Sequence, residues 1–444
     1  MILAVSMLTQ NTSDCSESYE TQLYRKVSTR LIPLLLVCYV ISYLDRVNIG
    51  FAKLAMTSDL GFSDAVYGLG AGIFFIGYFL FEVPSNVIMH RVGARRWIAR
   101  IMFTWGVLSA ANAFVTTATQ FYTIRFLLGV AEAGFFPGVL LYLAYWFPTH
   151  RLGRATALFM TAVPLTGIVG SPISGWILET TGQSGGLKNW QHLFLIEAAP
   201  AIIASVVVLC VLSNGIRDAG WLTTQEKDHL QRNIDEEQKT KPTHSLLASF
   251  RSPEIWVFGS IYFSFVIGLY GISFWLPTII RATGVSHPGT IGLLTAVPYI
   301  LAAAVMVPVS RRSDRHRERR WHIAASAIGG SIGLWASIFV THNPLLAVLA
   351  MSVATTGIIT ALPLFWSLPN ARLTGVAAAA GLAVINSIGN LAGFVSPYLV
   401  GLLSTATHDT RAGVAMMACS MLVGAALTLS LPAERRHSET SESR

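Results

Sequence analysis

The sequence predicts an all-α integral membrane protein, with twelve transmembrane helices in two six-helix bundles. Three observations lead there. Of 444 residues, 53% are apolar and 12% charged, and mean hydropathy is +0.55; a soluble domain is about 25% charged. Apolar stretches recur that are long enough to cross about 30 Å of hydrocarbon. A single long polar connection, roughly 214–254, divides these stretches six and six. The same composition excludes a soluble enzyme, a disordered chain and a secreted disulfide scaffold.

The elements follow in order. The first span, 30–51, starts after Arg25, Lys26 and Arg30 and runs apolar up to Asp45 and Arg46. The second, 65–88, ends at the basic turn MHRVGARR, after which the third, 97–118, begins. The fourth, 121–146, carries Arg125 and Glu132. The fifth, 155–178, holds the small-residue run TAVPLTGIVGSPISG, and the sixth, 193–213, closes the first set. Small residues let helices approach and prolines permit bends. The segment RDAGWLTTQEKDHLQRNIDEEQKTKPTH is charged enough to be a solvated linker with an amphipathic helix. Spans then recur at 255–280, 289–309, 322–341, 345–368, 376–403 and 411–431. The resulting domains are a tail at 1–29, a bundle at 30–213, the linker at 214–254, a bundle at 255–431 and a tail at 432–444.

Net charge is +8. In a soluble protein that balance suggests nucleic acid. Here the basic residues sit in short loops, where they set membrane orientation, and no nucleic-acid partner is expected. With the N-terminus inside, twenty-four Lys and Arg fall on the inner side and four (Lys53, Lys188, Arg281 and Arg411) on the outer. The expectation is a multi-pass protein of the cell's inner (plasma) membrane, with both termini cytoplasmic and the lipid bilayer as its surroundings. A monomer is expected. The opening MILAVSML has no basic residues before its apolar run and is not read as a cleaved signal. Cys15, Cys38, Cys210 and Cys419 lack metal-ligand spacing and read as packing residues.

The halves also repeat. A shift of 224 residues places Val83-Pro84 on Val307-Pro308, Arg91 on Arg315, Arg95-Arg96 on Arg319-Arg320 and Trp97 on Trp321. Both stretches end one span, cross a basic turn and start the next, the signature of two bundles related by an axis along the membrane normal. In the second turn Asp314 precedes Arg315 and can hold a helix end or an arginine; His90 takes that place in the first.

Charges at bilayer depth cost roughly 2.5–3.5 kcal/mol each and mark function by default. Asp45 and Arg46 interrupt span 1; Arg125 and Glu132 lie on span 4, seven residues apart on one helix face. At 1.5 Å per residue Asp45 lies about 22 Å from the inner end of its span, and Glu132 about 16 Å from the outer end of its own. If spans 1 and 4 face each other, two guanidiniums and two carboxylates converge. A guanidinium forks onto a carboxylate, which suits an organic anion. Burial and neighbouring arginines pull a carboxylate's proton affinity in opposite directions, which suits proton exchange at Glu132 or Asp45. A static salt-bridge network is the competing reading. Glu82 and Glu197, near span ends, read as structural. Asn386 and Asn390 share a helix face at i and i+4. Tyr43, Tyr78, Tyr270 and Trp366 suit the lining of a semi-polar cavity. No nucleotide-binding motif, metal cluster or nucleophile–base pair is evident, so neither an ATP-driven pump, an enzyme nor a cofactor is expected.

At ISYLDRVNIGFAKLAM, GYFLFEVPSNVIMHRVGARRWIAR, RFLLGVAEAGFFPGVLLYLAYWFP, SFWLPTII, SDRHRERRWH, LPLFWSLPNARLTG and GLAVINSIGNLAGFVSPYLVG the chain resembles the anion:cation symporters of the major facilitator superfamily. Within them it is similar to bacterial permeases for tartrate, phthalate and hydroxyphenylacetate. The resemblance spans about residues 25–430. It implies an alternating-access fold and proton-coupled uptake of organic anions. It also implies a substrate-carboxylate contact at Arg46, proton-coupling carboxylates at Asp45 and Glu132, and Arg125 as the partner of Glu132. Tyr43, Tyr78, Trp366 and Asn386 match positions that line the family's cavity. His90 departs from the superfamily's loop aspartate.

The expected function is therefore secondary active import of a small organic carboxylate (hydroxydicarboxylate, sugar acid or aromatic acid) by proton symport. Its substrate contacts are Arg46, Tyr43, Tyr78, Arg125, Tyr270, Trp366, Asn386 and Asn390, with proton coupling at Asp45 and Glu132. The alternative is a proton-independent exchanger or uniporter on the same fold.

Overall fold

A computed structural model of the chain describes residues 2–182, 185–238, 252–316, 318–372 and 378–432. Its regular elements are helices. In the first half they are α1 (Ile2–Val47), α2 (Ile49–Leu60), α3 (Asp64–Val92), α4 (Ala94–Ala111), α5 (Ala118–Glu132), α6 (Phe135–Ala144), α7 (Thr149–Met160), α8 (Ala162–Thr180), α9 (Asn189–Val211) and α10 (Thr224–Gln238). The second half adds α11 (Pro253–Ala282), α12 (Pro288–His316), α13 (Arg320–Phe339), α14 (Pro344–Arg372), α15 (Ala378–Thr407) and α16 (Arg411–Ser430). Among the described residues eleven helical runs are long and apolar enough to cross a membrane. The remaining expected span, 97–118, is α4, which carries Arg95 and Arg96 at its start and Arg100 a turn later. The Arg100 guanidinium lies over the Trp97 ring at 3.8 Å, so the charge is carried against an aromatic face. Large apolar side chains stand exposed on the outer faces, Phe339, Val83, Trp176 and Ile203 among them, as lipid-facing surfaces require.

Expected spans 1, 4 and 5 are each broken. Span 1 is α1 plus α2 and runs on to Leu60. Lys53, assigned above to an outer loop, is in fact a buried helix residue: it pairs with Asp64 at 2.8 Å and lies 5.2 Å from the Tyr67 ring. Span 4 ends its first helix at Glu132, and Gly134, at φ +86°, takes the left-handed turn from which α6 restarts. Span 5 is α7 plus α8, separated at Thr161. The repeat has the same local form in both halves: Pro84 and Pro308 lie inside α3 and α12, and Trp97 and Trp321 lie in the first turns of α4 and α13. Asp314, expected to hold a helix end, is exposed. Among the described residues its turn is fastened by Ser313 donating to the Glu318 carbonyl, by Glu318 accepting from the Trp321 N–H, and by Arg319 donating to the Ser367 carbonyl.

The chain divides into two compact units, residues 1–243 with 286–296, and residues 244–285 with 297–444. In the first, α3 packs on α5 and α4 on α9. The α3–α5 contact is backbone against backbone: a Cβ at Gly129 would stand 1.9 Å from the Phe74 carbonyl oxygen. We expect Gly129→Ala to force these helices apart at a cost of about 3 kcal/mol, read as a lower melting temperature in detergent. In the second unit α11 packs on α15 and α13 on α14 and α16. Gly389 of α15 lies under the Tyr262 ring of α11.

The linker is less solvated than its charge suggests. Its helix α10 buries Leu230 and Ile234. Glu226 accepts from Lys26 of α1 at 2.8 Å, His229 meets the Tyr19 ring edge-on at 5.8 Å, and Trp221 stacks on Trp146 at 5.6 Å. Residues 239–251, Arg317 and the tail 433–444, with Arg435, Arg436 and Arg444, lie outside the described residues, as does the side chain of Cys15. Burial alone would raise the Glu226 carboxyl, but hydrogen bonds from Lys26 and Thr223 outweigh it and hold it below the usual range. A carboxylate lowered on folding stabilises above its unfolded pKa, near 4.3, and that contribution is lost as pH falls through the folded value. Lys26 is 44% exposed, so the effect is small. A spin label at Glu236→Cys should gain mobility on acidification through that range, and should start mobile when Glu226→Gln is added.

Candidate functional site

Ser42 and Arg46 are one turn apart on α1 and face the end of α5. Ser42 Oγ donates to Glu132 Oε1 at 2.7 Å, and Arg46 Nη2 donates to the same oxygen. Glu132 is the last residue of α5, placed by the break at Gly134. Its Oε2 has no hydrogen-bond partner. Arg46 is 6% exposed and Glu132 0%, so this is a buried ion pair. Four rings surround the guanidinium: Phe74 and Tyr78 at 5.2 Å, Tyr43 and Phe75 at 5.9 Å. Aromatic faces stabilise a guanidinium without neutralising it.

Asp45 and Arg125 do not join this pair. Successive helix residues point about 100° apart, and Asp45 faces α4. There it accepts from Trp105 Nε1 at 3.0 Å and Ser109 Oγ at 2.7 Å. Arg125 Nε donates to the Gly70 carbonyl at 3.3 Å, and its guanidinium lies 5.2 Å from the centre of the Phe74 ring. Its two terminal nitrogens have no hydrogen-bond partner, although the side chain is fully buried. The four charges lie within electrostatic reach of one another, but only Arg46 and Glu132 are in direct contact: Asp45 is held by its own donors, and the two terminal nitrogens of Arg125 have no hydrogen-bond partner. Glu197, on α9, accepts from Ser174 Oγ at 2.6 Å.

The other expected site residues lie in the second unit. Tyr270 is buried and stacks on Phe274 at 6.0 Å. Trp366 meets the Tyr262 ring at 4.8 Å. Asn386 and Asn390 are half-buried on α15, on either side of the Gly389–Tyr262 contact. Sequence reasoning missed Ser42, Trp105, Ser109 and Phe74. Ser42 was findable as the residue one turn before Arg46; Trp105 and Ser109 share a face of α4 at i and i+4, but nothing in the sequence tied that face to Asp45. Among the described residues no group of three or more His, Cys, Asp or Glu is placed to hold a metal ion.

A chain of many membrane-length apolar helices with a buried arginine–carboxylate pair has the make-up of a polytopic membrane protein. The chain belongs to the Major Facilitator Superfamily, whose family model matches residues 35–397. It is 47% identical over 414 residues to the "Putative metabolite transport protein NicT" of Pseudomonas putida, covering 93% of this chain and 95% of that protein. It is equally identical, over the same shares, to a "Putative tartrate transporter" of Agrobacterium vitis. Among solved structures it is similar to the inward-open xylose transporter XylE of E. coli, with a TM-score of 0.72 at 15% identity, covering 93% of this chain and 97% of that one. That likeness shows the fold.

Proposed function

We propose that this chain imports a small organic carboxylate together with a proton, by alternating access. One observation carries the reading: the cation best placed to take a substrate carboxylate, Arg46, is already occupied by Glu132. Carboxylate and substrate compete for one guanidinium. Protonating Glu132 removes its claim on Arg46, so proton binding favours anion binding, and by linkage anion binding favours proton uptake by the same factor. Arg125 supports the reading with two buried donors that an anion would satisfy; an unpaired buried cation costs several kcal/mol.

Asp45 is proposed as a second coupling carboxylate, reached through Trp105 and Ser109. Tyr43 and Tyr78 are proposed as substrate contacts beside Arg46, and Tyr270, Trp366, Asn386 and Asn390 as contacts of the second unit. The inner-side excess of Lys and Arg supports cytoplasmic termini. The relative named for tartrate favours a hydroxydicarboxylate, ahead of a sugar acid or aromatic acid such as phthalate or hydroxyphenylacetate.

The test is external pH in a weakly buffered, de-energised suspension of cells expressing the protein, with these acids added one at a time. Alkalinisation by one acid supports symport and names its class. Entry of a radiolabelled acid with no pH change replaces symport by the exchanger or uniporter.

A further inference from the structure

The first unit has a polar cavity at the end of the bundle that bears the basic turns. Its volume is about 530 Å³. Its walls come from Arg30 of α1, Arg95 of α4, the end of α9 with the residues after it (Cys210 to Asn214), and Asp218, Gly220 and Trp221 beyond. Arg95 Nε donates to the Leu209 carbonyl, and the Arg95 N–H donates to Asn214 Oδ1 at 3.2 Å. Tyr142 Oη donates to the Ser213 carbonyl at 2.8 Å, and Trp221 is stacked on Trp146 with the planes 13° apart.

Three charges line this cavity, two cations and one anion. Arg30 is exposed, Asp218 is exposed, and neither side chain is bonded to another described residue; Arg95 uses only its Nε. Leading away from the cavity along α9, Val206, Val207, Leu209 and Val211 are all exposed. A charged cleft at the end of two spans, continued by an apolar track, has the layout of a lipid site.

We propose that this cavity binds a lipid with a phosphoethanolamine headgroup. The phosphate lies on Arg30 and Arg95, the primary ammonium on Asp218, and the acyl chains along α9. The charge pattern selects the headgroup. A phosphoglycerol head leaves Asp218 beside a phosphate with no cation to answer it. A choline head carries no N–H and gives Asp218 no hydrogen bond. The site is independent of the transported solute and of the Arg46–Glu132 pair.

Cys210 lines the cavity and is exposed, and Cys419 on α16 is exposed elsewhere, so the protein carries its own probe and control. The full chain is placed in nanodiscs of phosphatidylcholine alone, or with phosphatidylethanolamine or phosphatidylglycerol added, and maleimide labelling of each cysteine is followed by peptide mass at neutral pH. Phosphatidylethanolamine should slow Cys210 about tenfold, the protection expected when the lipid stands near ten times its dissociation constant, and leave Cys419 unchanged. Arg30→Gln should restore the phosphatidylcholine rate, and Asp218→Asn should remove the preference for phosphatidylethanolamine over phosphatidylglycerol. Equal Cys210 rates in all discs, equal slowing of both cysteines, or stronger protection by phosphatidylglycerol would each overturn the proposal. So would full protection by soluble O-phosphoethanolamine in phosphatidylcholine discs, which would make the ligand a free solute.

Discussion

Arg46→Ala should abolish substrate binding. Two losses add in this variant. The substrate carboxylate loses its forked donor, and Glu132 is left buried with only the Ser42 hydroxyl to answer it. Removing one partner of a buried ion pair costs about 3–5 kcal/mol, and a loss of that size in binding is about two to three and a half decades in Kd. Arg46→Lys separates charge from shape. It restores the cation but not the planar fork, nor the stacking against Phe74 and Tyr78, so it should bind detectably and more weakly than wild type. Isothermal titration with the acid that gives the pH signal reads both variants. Wild-type affinity in Arg46→Ala would remove Arg46 from the site.

The fold was legible where composition and periodicity carry it. Apolar runs give span positions, because a span is defined by the thickness it crosses. What failed were the places where a helix breaks or continues against its local composition. Lys53 looked like a loop residue because an isolated lysine ends an apolar run; Asp64, eleven residues on and beyond a turn, pairs with it and lets α2 continue. The break at Gly134 was hidden because Ala133 and Gly134 read as small residues inside a span, and only the positive φ marks a restart. That break places Glu132 at a helix end.

The site was legible as a set of residue types and not as a geometry. Asp45 and Arg46 are adjacent in sequence and so were read together, but adjacency on a helix separates them. One faces Trp105 and Ser109, the other Glu132. Arg125 and Glu132, two turns apart, interact through charge and not through a hydrogen bond, because Arg125 Nε donates to the Gly70 carbonyl and the guanidinium lies near the ring of Phe74. Pairing across helices depends on which helix lies opposite and at what height, and a single sequence does not encode that locally.

Glu132→Gln should uncouple transport without stopping it. Glutamine has the shape of the protonated acid and cannot become charged. It still accepts from Ser42, and it no longer holds Arg46 by charge. Arg46 is then available to substrate at every pH, so the variant should bind the anion with a pH-independent Kd, equal to that of the wild type at the acid end of its range. Exchange of labelled for unlabelled substrate across the membrane needs only binding and reorientation, and should persist. Accumulation should not. One proton moving down a gradient of about one pH unit supplies about 1.4 kcal/mol, a tenfold concentration ratio, and a site that takes up no proton cannot use it. In proteoliposomes with an imposed pH gradient, the wild type should concentrate the acid inside while Glu132→Gln equilibrates it. Asp45→Asn in the same assay separates the two carboxylates. If Asp45→Asn also equilibrates, two protons or a relay is involved; if it concentrates normally, Glu132 alone couples. Full gradient-driven accumulation by Glu132→Gln removes Glu132 as the coupling site and leaves the Arg46–Glu132 pair as a strut between α1 and α5.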